Sequence, residues 1–95
     1  MTTLRDQSRI TLSADQVSAE LDGEAVVLNL RDGVYFGLNA VGTRVWTLLK
    51  EAPRSVEELR RAILDEYAVG LDDCDRDLRA LLTALEEHGL IEVRQ

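Results

Sequence analysis

The sequence predicts an α+β domain of winged-helix-like order, a three-stranded antiparallel sheet followed by three helices. Three observations carry this. Two Asp-Gly pairs, Asp22-Gly23 and Asp32-Gly33, punctuate an early β-rich run, and such pairs suit two-residue hairpin turns because the turn needs positive φ. After Asn39 the apolar residues recur at intervals of three and four instead of alternating, the period of a helix. The helical half is then punctuated at Pro53 and Gly70, both poor residues for a helix interior.

Ninety-five residues, 45% of them hydrophobic, make one domain with one core, and a chain of this size buries roughly 60–70% of its unfolded surface. No apolar run approaches the ~20 residues of a membrane helix. The opening Met1-Thr2-Thr3-Leu4-Arg5-Asp6 lacks the basic-then-apolar order of a secretory signal. The single cysteine, Cys74, rules out an internal disulfide framework and permits a reducing compartment. A cytoplasmic location is therefore expected, without a membrane partner. Eighteen acids against eleven bases give a formal charge of −7. A field of that sign repels phosphate and argues against nucleic acid as the partner.

Residues 1–16 are polar and mixed and read as an N-terminal arm, or as a short strand at Ile10–Leu12, with the arm preferred. The domain proper is expected over 17–95. Its strands fall at about 17–21, 25–30 and 34–38. Two-residue turns fix the register: Leu21 opposite Glu24, Ala19 opposite Val26 and Val17 opposite Leu28, then Leu30 opposite Tyr35 and Asn29 opposite Phe36. The face with Val17, Ala19, Leu21, Val26, Leu28, Leu30 and Tyr35 is the expected core face. The other is polar near the first strand but carries Val27, Val34, Phe36 and Leu38, so the third strand is apolar on both sides.

Asn39 is placed to cap the first helix, whose stripe is Val41, Val45, Leu48 and Leu49 with Trp46 on its flank; Gly42 allows close packing. Pro53 ends it. Ser55-Val56-Glu57-Glu58 is a capping box for the second helix, which carries Val56, Leu59, Ile63 and Tyr67 and stops near Gly70. Asp72 or Asp73 caps the third helix, whose stripe is Cys74, Leu78, Leu81, Leu82 and Leu85. Gly89 suits its left-handed C-terminal residue. Leu90-Ile91-Glu92-Val93 is a tail able to pack or pair as a wing.

Catalytic chemistry is not legible. Cys74 and His88 are nearly four helical turns apart, about 21 Å, and form no dyad. Cys74 falls on the leucine stripe and reads as core, while His88 reads as a helix-terminal surface residue. One cysteine and one histidine build no zinc site within the chain, and no glycine-rich phosphate loop is present. No enzyme activity, metal or cofactor is expected. An apolar edge strand must be covered or used, and a peptide adding itself to residues 34–38, with the third helix as opposite wall, would use it.

The run Val26-Val27-Leu28-Asn29-Leu30-Arg31-Asp32-Gly33-Val34-Tyr35-Phe36-Gly37-Leu38-Asn39-Ala40-Val41-Gly42-Thr43-Arg44-Val45-Trp46-Thr47-Leu48-Leu49 resembles the PqqD-like family of peptide-recognition domains, the RiPP recognition elements. Gly-x-Tyr-Phe-x-Leu-Asn followed by Val-Gly and Trp is most similar to the small stand-alone members of lasso-peptide biosynthesis. The spacing to Ser55-Val56-Glu57-Glu58-Leu59 and the closing Leu85-Glu86-Glu87-His88-Gly89-Leu90-Ile91 are similar too, so the resemblance covers roughly 17–93. It implies non-catalytic binding of the leader of a ribosomally made precursor, laid as a strand on the third strand beside the third helix. The precursor then passes to a cysteine-type leader peptidase and an ATP-dependent cyclase. Carried to this sequence, the implied edge is Val34, Tyr35, Phe36, Gly37 and Leu38, and the facing helix offers Asp75, Arg76, Leu78, Arg79, Leu82 and Glu86. Leu82, Arg79, Asp75 and Glu86 lie on one flank and Leu81 and Asp77 on the other, and the sequence leaves open which flank faces the leader. The alternatives are a winged-helix DNA-binding regulator and an adaptor that dimerises through the same edge.

Overall fold

In the computed structural model, which describes residues 3–95, the chain runs β1 (Arg9–Leu12), β2 (Gln16–Leu21), β3 (Glu24–Asn29), β4 (Tyr35–Gly37), α1 (Ala40–Glu51), β5 (Arg54–Ser55), α2 (Val56–Glu66), α3 (Leu71–Glu87) and β6 (Ile91–Arg94). Two antiparallel three-stranded sheets result, in the orders β2-β3-β4 and β5-β1-β6. The fold is α+β, as the sequence predicts, with a second sheet added. Among the described residues no helix is long and apolar enough to cross a membrane.

The first hairpin follows local rules. Asp22 and Gly23 both take positive φ, 55° and 82°, and Leu21 pairs with Glu24, Ala19 with Val26 and Val17 with Leu28. The second turn departs from expectation. Only Gly33 is left-handed there, at φ 73°, and a two-residue turn of the expected type needs both central residues so. Asp32 instead accepts a hydrogen bond from the Val34 N–H at 2.9 Å, while the Asn29 N–H bonds the Val34 carbonyl at 3.0 Å and the Gly33 N–H the Asn29 carbonyl at 2.9 Å. The loop is therefore longer, and Tyr35 pairs with Leu28 and Phe36 with Val27. The shift is two residues, an even number, so it leaves each side chain on its expected face.

The choice of face is nonetheless reversed. Ala25, Val27, Asn29 and Leu38 are buried, whereas Val17 is 50%, Leu21 75% and Tyr35 69% exposed. The physical reason is the β4–α1 junction. Leu38 leads straight into α1, so the face on which it lies is the face the helices cover. The Leu38 N–H reaches the Ala25 carbonyl at 2.8 Å, and the Ala25 N–H reaches Thr43 Oγ1 at 2.8 Å, tying α1 to that side. Gly42 makes the approach possible, since a Cβ there would stand 3.2 Å from Leu38 Cδ2. Asn29, a polar residue on the buried face, is satisfied by donating to the His88 carbonyl at 2.7 Å and accepting from the Arg31 N–H at 2.9 Å.

Asn39 caps α1 by accepting from the Gly42 N–H, and Ser55 with Glu58 forms the capping box of α2. That helix ends at Glu66, before Gly70, with Tyr67 as its C-cap. α3 begins two or three residues earlier than expected: Gly70 is its N-cap without a side-chain bond, and Asp72 and Asp73 occupy its first turn, where they favour the positive end of the dipole. Gly89 is left-handed at φ 70°. Cys74, Leu78, Leu82 and Leu85 are the buried stripe of α3, with Leu81 half-buried beside it.

The segment before β2 forms a strand at Arg9–Leu12, the less favoured of the two readings. β1 lies between β5 and β6, with Ile10 opposite both Arg54 and Val93, and the Ile10 side chain is fully buried. A local rule misses it because its partners lie more than forty and eighty residues away in sequence. Ile10→Ala is expected to cost about 2–5 kcal/mol, the range for emptying a buried aliphatic site. Urea denaturation measures this, and a mobile arm would give a change near zero.

Candidate peptide-binding groove

β4 is paired on one side only: its partner is β3, and no strand lies on its other side among the described residues. The direction of each backbone group follows from the ladder. In an antiparallel pair, residues that exchange hydrogen bonds with the partner alternate with residues whose N–H and C=O point the opposite way. The Asn29 N–H to Val34 carbonyl bond and the Leu38 N–H to Ala25 carbonyl bond bracket the Val27–Phe36 pair, so Val34, Phe36 and Leu38 face β3. Tyr35 and Gly37 therefore turn their N–H and C=O groups outward. Gly37 has nothing within 4 Å of the position a Cβ would take. This open edge is what an added strand requires.

The wall opposite is α3, and its orientation can be read from contacts. The Phe36 and His88 rings meet edge to face with centroids 4.9 Å apart, and His88 Nδ1 lies 2.8 Å from the Ala84 carbonyl. An open cavity of about 260 Å³ lies between the start of α1 and the N-terminal half of α3. Asn39, Val41, Val45, Val69, Asp77 and Leu81 line it, with Cys74 and Leu78 also contributing. At about 100° per residue, Asp77, Leu81 and His88 share one flank of α3. At His88 this flank meets Phe36 of β4, and at Asp77 and Leu81 it borders the cavity beside α1.

The other flank is occupied. Asp75 and Arg79 are joined to each other at 3.0 Å, and both belong to a network closed by Arg60 of α2 and by Asp6. Arg60 donates to both Asp6 oxygens at 3.0 Å and to Asp75 at 2.7 Å. Arg79 donates to Asp6 and to the Leu4 carbonyl, each at 2.7 Å. The Arg60 hydrogen bonds hold Asp6 below the usual carboxylate range, with Arg79 adding to the effect. For Asp75 partial desolvation opposes ionisation, but hydrogen bonds from Arg79 and Arg60 outweigh it and lower the pKa. Arg60 is raised in turn, chiefly by its bonds to Asp6.

Sequence comparison agrees with this architecture. The family described as coenzyme PQQ synthesis protein D (PqqD) matches residues 24–91. The chain belongs to the PqqD family. Two solved structures resemble this PqqD-family chain over most of its length. "TbiB1 in Complex with the TbiA(beta) Leader Peptide" is 46% identical, with a TM-score of 0.79 over 86% of this chain and 94% of that one. "Lasso peptide synthetase B1 complexed with the leader peptide" is 29% identical, with a TM-score of 0.75 over 87% and 96%. Among curated proteins none matches.

The residues singled out in the sequence thus separate. Val34, Tyr35, Phe36, Gly37 and Leu38 sit at the open edge, and Leu78 lines the cleft. Leu82 is fully buried beneath it. Arg79 bonds the N-terminal segment and Asp75 bonds Arg79 and Arg60, and Glu86 shares their flank by helical spacing. Arg76 is exposed and pairs with Asp73 at 3.1 Å and Asp77 at 3.4 Å, both rim residues of the cavity. Val41, Val69 and His88 were not anticipated; their roles arise from tertiary approach, and only the helical phase of Leu81 and Asp77 hinted at the flank. Burial pushes the Cys74 thiol upward, which keeps it protonated.

The network makes stability acid-sensitive. Asp6 and Asp75 titrate lower folded than unfolded, so their contribution is present above the unfolded pKa and is lost as pH falls through the folded one. Tm measured from pH 7 down to about 2.5 should place Asp6→Asn below the wild type at neutral pH, with the gap closing below about pH 4.

Proposed function

We propose that this chain is a leader-peptide binding module of lasso-peptide biosynthesis. The leader of a ribosomally made precursor lies as a further strand on Tyr35 and Gly37, in the groove between β4 and the Asp77–Leu81–His88 flank of α3. The observation that carries this is the outward main chain of β4 beside a cleft lined by Val41, Val45, Leu78 and Leu81. Its support is membership of the PqqD family and likeness to two solved proteins captured with leader peptides. Main-chain bonds supply affinity in such strand addition, while alternate side chains entering the cleft supply selection.

In this reading the chain recognises and does not catalyse. The bound precursor is presented to separate enzymes, a cysteine-type leader peptidase and then a cyclase, which hold the reactive groups. A DNA-binding role for α3 is disfavoured by the exposed Asp72, Asp73, Asp77 and Glu87 on that helix, since phosphate would meet like charge.

Calorimetric titration with the synthetic leader of a candidate lasso-peptide precursor tests the reading. Gly37→Pro removes one outward N–H and leaves the bonds to β3 in place. It is expected to weaken binding about tenfold, the worth of one main-chain hydrogen bond. In NMR spectra of the wild type the Tyr35 and Gly37 amides should shift most on leader addition. Unchanged affinity in the proline variant would overturn strand addition at this edge.

A further inference from the structure

The segment preceding β1 lies outside the residues that the family matches, 24–91, yet Thr3, Leu4, Arg5, Asp6 and Ser8 are all hydrogen-bonded. The Asp6 carbonyl accepts from the Glu57 N–H at 3.0 Å and the Ser8 carbonyl from the Val56 N–H at 3.2 Å. With Ser55 Oγ accepting from the Glu58 N–H at 3.1 Å and Glu58 Oε1 accepting from the Ser55 N–H at 2.8 Å, all four backbone donors that any helix start leaves unpaired are satisfied in α2. Ser8 Oγ donates to Gln95 Oε1 at 2.8 Å, and Gln95 Nε2 donates to the Thr3 carbonyl at 2.6 Å. The Asp6 carboxylate then bridges Arg60 of α2 and Arg79 of α3. This is a strap across the two helices.

What the strap grips is the back of the groove wall. Asp75 and Arg79 occupy the same two turns of α3 as Asp77 and Leu81, on the opposite flank. A helix is stiff over two turns, so an anchor on one flank sets the position of the other. At this end of α3 the strap adds to the burial of Cys74 and Leu78 and to the Arg60–Asp75 bond, while the terminus itself is lightly held. Its N-cap, Gly70, makes no side-chain bond, and Ala68, Val69 and Gly70 before it are exposed. Val69, Asp73 and Asp77 belong to the cavity rim, so the width of the cleft depends on where this half of α3 is held.

We infer that Asp6, acting through Arg60 and Arg79, is a positioning residue for leader binding: the N-terminal strap holds α3 at the distance from β4 at which the cleft accepts a peptide. The inference rests on the leader-binding reading and deepens it. A chain whose wall is in place only part of the time binds with its intrinsic affinity reduced by that fraction. A merely structural strap would lower stability and leave the affinity of the folded chain unchanged.

The experiment compares full-length wild type, Asp6→Asn, and Ile10→Val as a control that destabilises β1 away from the groove. Each is titrated with the same synthetic leader at a temperature where denaturation curves show it fully folded. Asp6→Asn is expected to bind about five- to tenfold more weakly, the low end of couplings between separate sites. Amide exchange across Cys74–Leu81 should be faster in that variant and slow again on saturation with leader. Asp6→Glu, which keeps the charge, should recover part of the affinity, and Ile10→Val should bind as wild type. Wild-type affinity in folded Asp6→Asn overturns the inference alone. Equal weakening in Ile10→Val overturns it as well, because affinity would then follow stability. A wild type that binds no leader overturns the leader-binding reading and the inference with it.

Discussion

The rotation of α3 about its own axis is the constraint on which the rest of the molecule depends. Burial of Cys74, Leu78, Leu82 and Leu85 fixes it, because turning that stripe toward water would expose four apolar side chains at a cost of roughly 1.5–3 kcal/mol for each large one. Once the stripe is set, the flanks have no freedom. Asp75 and Arg79 must meet the N-terminal segment and α2, while Leu81 must border the cavity beside α1 and His88 must meet Phe36 of β4. A surface that reads as acidic in the sequence is thus divided by the core beneath it into a clamped side and an open side.

The open side is open for a backbone reason. β4 is three residues long and carries no charge or proline, the usual guards of an edge. Its apolar side chains are used differently on the two faces. Phe36 and Leu38 turn inward, toward His88 and α1, while Tyr35 stands out on the uncovered face of the sheet with Val17 and Val26. A strand that looked uniformly apolar in the sequence therefore has one face packed, one face exposed and one row of unpaired main-chain groups. Only the last of these is common to any peptide that could be added, so the edge is indifferent to sequence.

Much of this was legible because it is local. The Asp22-Gly23 turn, the Asn39 cap, the Ser55–Glu58 box and the left-handed Gly89 each depend on residues within a few positions of one another, and each appeared where the sequence placed it. The core face of the sheet was not legible by counting apolar residues. Asn29 sits on the buried face since its amide finds the His88 carbonyl, fifty-nine residues away. Val17 and Leu21 remain exposed because α1 leaves β4 from the opposite side. Asp6 and Arg79, separated by seventy-three residues, gave no periodic signal, and a polar, mixed segment therefore read as an arm instead of a strap.

Charge follows the same division. Arg60 and Arg79 are largely withdrawn from solvent and held by Asp6 and Asp75, so these two cations contribute little to the outer field. Arg76, with Asp73 and Asp77, stays exposed at the cavity rim, where solvent weakens such pairs to a fraction of a kcal/mol and they can be re-formed around a guest. The groove consequently joins a rigid, sequence-blind edge to an adjustable rim over an apolar floor. On the proposed reading, affinity would arise from the first and choice among peptides from the other two, which would separate the part of the site that must stay constant from the part that can change with the leader.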